Sequence, residues 1–188
     1  MVAEQIKTNR KTMILLAITF VIPVILAKLA LEGDWFNRAA TNKGTLLDPV
    51  LDFSTLYSQR EPIWYISFIT SQPCDERCNL ALFSLNQISV ALRRDSARVH
   101  TAVLVESPEQ LSTIETHEYS EGLDVMSVAE VELDSVFNEQ AVDGLYIVDA
   151  LGNIILRYPL HTDKDEAILK SRDILSDMRK LLKLSRIG

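Results

Sequence analysis

Two cysteines, three histidines and six glycines are all that these 188 residues contain of those types, and each scarcity closes off a class of function. The cysteines, Cys74 and Cys78, share a single C-x-x-x-C motif, so the loop they can close is too short to staple a fold by restricting the unfolded chain. A disulfide scaffold of the small secreted kind is therefore excluded. His100, His117 and His161 are isolated from one another, and there is no H-E-x-x-H metalloprotease motif. Glycine-rich phosphate loops and the G-x-S-x-G nucleophile elbow are absent as well. Basic charge is in short supply: 19 Lys and Arg face 26 Asp and Glu, a net charge of −7. The part beyond Leu31 is more acidic still, because the first segment is basic. Such a surface excludes nucleic acid as a partner, since phosphate binding needs clustered positive charge. No internal repeat or low-complexity tract is visible.

What is present divides into a membrane segment and a globular part. Met13 to Ala27 carries no charge, and the apolar character runs from Thr12 to Leu31 with Lys28 near its far end. A helix spans the hydrocarbon core with roughly 20 residues, and a lysine at the end of a span can snorkel to the headgroups. Pro23 is tolerable inside a lipid-embedded helix. Lys7, Arg10 and Lys11 precede the span, while Glu32 and Asp34 follow it. The positive-inside rule then puts the N-terminus in the cytoplasm and the remainder outside. No A-x-A site closes the apolar run, which favours an uncleaved anchor over a signal peptide. The expected organisation is a cytoplasmic tail over 1–11, a transmembrane anchor over 12–31, a connector over 32–60 and a globular domain over 61–188. Trp35 and Phe36 stand just past the span, where interfacial aromatics belong.

Within the globular part, Ile63 to Ile69 is an almost continuous apolar run and predicts a strand covered on both faces. The cysteine pair follows it, in Ser71-Gln72-Pro73-Cys74-Asp75-Glu76-Arg77-Cys78, and then a helix-like stretch from Asn79 to Leu92 with Leu80, Phe83, Ile88, Ala91 and Leu92 on one broad stripe. A second strand is predicted over Val99–Val105. A helix start follows at Ser107-Pro108, with serine as cap and proline in the first turn. Ser112 to Gln140 mixes acidic and apolar residues, and a helix is placed over Val128–Phe137. Leu145–Asp149 and Ile154–Tyr158, joined by Leu151-Gly152-Asn153, read as a hairpin. Thr162 or Asp163 caps a last long helix with Ile168, Leu175, Met178 and Leu182 at helical spacing. Gly44 to Val50 reads as a short strand or an ordered strap. This order predicts an α/β domain: a thioredoxin-like mixed sheet with helices on both faces, preceded by one transmembrane helix.

The anchor, the strand leading into Cys74-x-x-x-Cys78, the hairpin Leu145–Pro159 and the ending Arg179–Gly188 together resemble the Sco family. These are membrane-anchored, thioredoxin-like proteins that assist assembly of cytochrome c oxidase. The resemblance implies a single-pass protein of a bacterial inner membrane with its C-terminal domain in the periplasm. It implies copper as cofactor, and the oxidase subunit bearing the copper site as partner. Cys74 and Cys78 match the family's copper-binding and redox cysteines. The family's histidine has no counterpart, because the corresponding stretch reads Ala141-Val142-Asp143-Gly144-Leu145.

Read from the residues themselves, a cysteine pair at a helix start suits both dithiol exchange and soft-metal binding, since the helix N-terminus stabilises thiolate. Cys74, on the loop, is the expected attacking thiol and Cys78 the resolving one. Asp75 is the candidate N-cap. Among the histidines, His117 is the foremost candidate for a third metal ligand. Two other functions fit the same residues: a general periplasmic thiol–disulfide oxidoreductase, and a non-catalytic docking module for assembly partners.

Overall fold

A strand with no polar face has to lie inside a sheet, and the apolar run before the cysteines does so. In the computed structural model, which describes residues 2–32, 42–57, 62–138 and 142–187, the run forms a strand over Trp64–Thr70 with all seven residues buried. Numbered in chain order, the strands are β1 (Thr45–Asp52), β2 (Trp64–Thr70), β3 (Val99–Val105), β4 (Asp124–Ser127), β5 (Gly144–Val148) and β6 (Asn153–Tyr158). They make one mixed sheet in the order β1-β6-β5-β2-β3-β4. β2 pairs in parallel with β3 and antiparallel with β5. The β5–β6 hairpin is antiparallel, as its short turn requires.

The helices are α1 (Val2–Glu32), α2 (Ser54–Tyr57), α3 (Glu76–Ala91), α4 (Pro108–Glu115), α5 (Glu130–Phe137) and α6 (Lys164–Leu184). Successive residues of β2 point to opposite faces and so build two cores. Trp64, Ile66 and Phe68 join Leu82 and Leu85 of α3, Ile114 of α4 and Ile174 and Met178 of α6. Tyr65 and Ile69 join Leu133 and Phe137 of α5, with Phe53 and Tyr146. Each large side chain buried in this way contributes about 1.5–3 kcal/mol. Helices thus cover both faces of the sheet, the thioredoxin-like arrangement.

Several boundaries differ from the sequence reading. α3 begins at Glu76, three residues before the apolar pattern starts, because Asp75 caps it. Its buried face is Cys78, Ala81, Leu82, Leu85 and Ile88; Leu80 and Phe83 are half-buried and Ala91 exposed. The stripe is rotated because the helix is wedged between the sheet and α6, not laid on one surface. In α6 the buried positions include Ala167, Ile174 and Asp177, with Ile168 and Leu175 on the flank. Residues 45–52 are a strand and pair with β6. β4 was not legible: it is a four-residue edge strand, half-buried and without a β-branched run. The helix placed over Val128–Phe137 starts at Glu130. Trp35 and Phe36 lie outside the described residues, as does Ala141.

The chain divides into two units, one ending at Thr41 and one beginning at Asn42. In the first, Arg10–Ala30 is long and apolar enough to cross a membrane.

Candidate functional site

Everything that shapes the cysteine loop converges where β2 ends. Asp75 is the N-cap of α3, its Oδ1 accepting from the Cys78 N–H at 3.0 Å. That bond, opposed by partial burial and aided by Arg77, holds the Asp75 carboxyl below the usual carboxylate range. Arg77 Nε lies 2.9 Å from Asp75 Oδ2, so the one cation in the spacer is bound to the cap and not directed at sulfur. An N-cap of this type contributes about 1 kcal/mol.

The capped turn sets the sulfurs side by side. Cys74 and Cys78 form a disulfide with their Cα atoms 5.1 Å apart. Cys78, inside the first turn of α3, is 3 % exposed, while Cys74 on the loop is half-buried. An incoming thiolate therefore reaches Cys74 first. The departing Cys78 thiolate would form at a helix N-terminus, where the helix dipole favours negative charge.

Two clamps hold the loop. From the chain entering β5, Asp143 Oδ1 accepts from Thr70 Oγ1 at 2.9 Å and from the Ser71 N–H at 3.0 Å. Thr70 Oγ1 in turn accepts from the Gln72 N–H. From α4, Gln110 Nε2 donates to the Ser71 carbonyl at 3.3 Å. Gln110 is itself fixed by a capping box with Ser107. Between these elements lies a groove of about 360 Å³, lined by Thr70, Pro73, Cys74, Cys78, Gln110 and Ile114 among others. Close to this mouth, burial and the carboxylates of Glu130, Asp134 and Asp143 push the Glu106 carboxyl up.

His117 comes to the other side of the cysteines. Its Nε2 is 3.0 Å from Asn79 Oδ1, and Asn79 Oδ1 is 3.6 Å from Cys74 Sγ. The Tyr119 N–H donates to His117 Nδ1. Both ring nitrogens are thus engaged by protein groups other than sulfur. His100 lies in β3 and meets Asp124 at 3.2 Å; His161 follows β6 and meets Glu166 at 3.2 Å. Among the described residues no group of three His, Cys, Asp or Glu side chains is placed to hold a metal ion. In this oxidised state the sulfurs are bonded to each other and His117 is turned to Asn79.

Asn79, Gln110, Asp143 and Thr70 were not singled out from the sequence. The capping pattern at Ser107-x-x-Gln110 was the one available signal, and it marks a helix start, not a clamp.

A sheet of this order, with a cysteine pair between its central strand and the following helix, defines a thioredoxin-like protein. A family profile described as "Transmembrane-like, thioredoxin-like, C-terminal domain" matches residues 64–185, and the chain belongs to that family. Among solved structures it is similar to the apo Sco1 protein from Thermus thermophilus, with 17 % identity, 77 % of this chain and 99 % of that one covered and a TM-score of 0.53. It is also similar to a thiol:disulfide interchange protein from Bacteroides sp., with 11 % identity, coverage of 76 % and 91 %, and a TM-score of 0.50. At these identities the likeness is one of fold. Among curated proteins none matches the chain.

Proposed function

We propose that this is a membrane-anchored dithiol protein that reduces a disulfide on an exported partner, and that the partner is the cytochrome c oxidase subunit whose cysteines form the copper site. The observation that carries the chemical part is the accessible Cys74 bonded to a buried Cys78 at the capped start of α3. In the reduced protein the Cys74 thiolate attacks a partner disulfide. One partner sulfur leaves, and the S–S bond of a mixed disulfide forms. Cys78 then attacks Cys74, releases the partner as a dithiol and restores the Cys74–Cys78 bond. Two electrons and two protons pass to the partner in each cycle.

The oxidase as partner rests on the Sco resemblance, and so does placement of the domain on the periplasmic face of the inner membrane. Dithiol exchange is favoured over copper hand-off because, among the described residues, no third His, Cys, Asp or Glu side chain is grouped with the two sulfurs. In a deletion strain, wild-type protein restores oxidase copper content and activity, whereas Cys74→Ser, Cys78→Ser and the double variant do not. Cys78→Ser additionally accumulates a mixed disulfide through Cys74. Restoration by the double serine variant would leave a docking module. Normal oxidase copper after deletion, with loss of disulfide reduction elsewhere, would leave a general oxidoreductase.

A further inference from the structure

We propose that Asn79, oriented by His117, is a redox-poising residue that selectively stabilises the reduced form of the cysteine pair. The inference rests on the dithiol cycle proposed above and adds a residue pair that sets where its equilibrium lies.

The direction of every proton in the network follows from one backbone amide. The Tyr119 N–H can only donate, so His117 Nδ1 must accept it, at 3.3 Å. The neutral ring then carries its proton on Nε2 and donates it to the side-chain oxygen of Asn79, at 3.0 Å. That fixes the carboxamide with its oxygen toward His117, and the same oxygen stands 3.6 Å from Cys74 Sγ. Asn79 therefore shows Cys74 an acceptor.

An acceptor distinguishes the two redox states. A disulfide sulfur has no hydrogen to give, so in the oxidised form the contact is no hydrogen bond. Once the pair is reduced, the Cys74 S–H can donate to the waiting oxygen. The reduction is balanced as one protein disulfide plus two glutathione thiols giving the protein dithiol plus glutathione disulfide. The Cys74–Cys78 bond breaks, the glutathione S–S bond forms, and one of the two protons taken up resides on Cys74 and is held by Asn79. The relay adds a bond on the product side only.

The support for His117 is firm. The turn after α4 is closed by the His117 N–H on the Ile114 carbonyl at 3.0 Å and by Ser120 Oγ on the His117 carbonyl at 2.7 Å. Tyr119 packs edge-on against Phe83 of α3, with ring centroids 5.4 Å apart, and Lys164 Nζ lies 5.2 Å from the Phe83 centroid. Without the His117 donor the Asn79 amide would be free to rotate and offer its NH₂ group instead. His117 acts through Asn79 and is a positioning residue; Asn79 touches the reacting sulfur.

The test is the redox equilibrium of the full-length protein in detergent against glutathione buffers, read as the dithiol-to-disulfide ratio by mass-shift alkylation. Asn79→Ala lowers the ratio about threefold to tenfold, the range expected for one net hydrogen bond, tenfold corresponding to about 30 mV for this two-electron couple. His117→Ala shifts it in the same direction, and His117→Gln, which keeps an amide donor, returns it toward wild type. Asn79→Asp, which keeps an acceptor, does not lower it. Wild-type ratios in both alanine variants overturn the proposal, as does a fall in Asn79→Asp matching that in Asn79→Ala. Because the readout needs only the purified protein and glutathione, its failure is separate from failure of the oxidase assignment, which the complementation strain reports.

Discussion

A single carboxylate fastens the last helix to the start of the domain. Asp177 of α6 is fully buried. It accepts from the backbone N–H groups of Lys43 and Gly44, from the Tyr158 hydroxyl at 2.9 Å and from Lys180 Nζ. Burial alone would raise its pKa, but the bonds from Gly44, Tyr158, Lys43 and Lys180 outweigh it and hold the carboxyl below its ordinary value. The same burial and the neighbouring carboxylate push the Tyr158 hydroxyl up. A folded pKa below the unfolded value, about 3.9 for Asp, means stability that is complete above that value and lost as pH falls through the folded pKa. Asp177→Asn is therefore expected to cost about 2 kcal/mol in urea unfolding at neutral pH. The penalty should shrink when the same titration is run near pH 3; equal penalties at both would count against the charged clasp. From the sequence this residue was one of many acidic positions on a helix, since its partners Gly44 and Lys43 lie more than a hundred residues away.

Among elements, the β5–β6 hairpin carries a steric demand set by backbone. Gly152 in its turn has φ +90°, and a Cβ there would lie 2.6 Å from the Ser54 Cα at the start of α2. The Phe53 N–H also donates to the Gly152 carbonyl at 2.9 Å. The glycine is needed twice, for a left-handed backbone and for close approach of a second chain segment. Gly152→Ala is expected to destabilise the domain by about 2 kcal/mol, since neither the strained dihedral nor the backbone contact can relax cheaply. A thermal melt within a degree or two of wild type would contradict it. The hairpin itself was legible as two β-branched runs around Leu-Gly-Asn. Its docking against residues 53–54 was not, because that depends on β1 joining the sheet beside β6. The same holds for the cysteine loop: the strand, the motif and the Asp75 cap are consecutive in sequence, whereas the Asp143 clamp reaches across 73 residues.

For the whole molecule, the apolar N-terminal helix and its basic flank make one arrangement testable. The positive-inside rule predicts that the basic flank is cytoplasmic and the domain outside. A membrane-impermeant maleimide, added to reduced intact spheroplasts, should label Cys74, and Cys74→Ser should abolish most of that signal. Labelling that appears only after lysis would reverse the orientation and remove access to an exported partner.

Sequence alone determined what depends on neighbours along the chain. The apolar length of α1, the mostly apolar β2, the capped start of α3 and α4, and the presence of a cysteine pair at a helix start are local consequences of spacing and propensity. Tertiary structure decided what depends on segments brought together from afar: the rotated face of α3, the edge strand β4, the place of β1, and the contacts of His117 and Asp143. Periodicity reports which side chains are apolar, but only packing on both sides of the sheet settles which of them are buried and which polar group meets the sulfur.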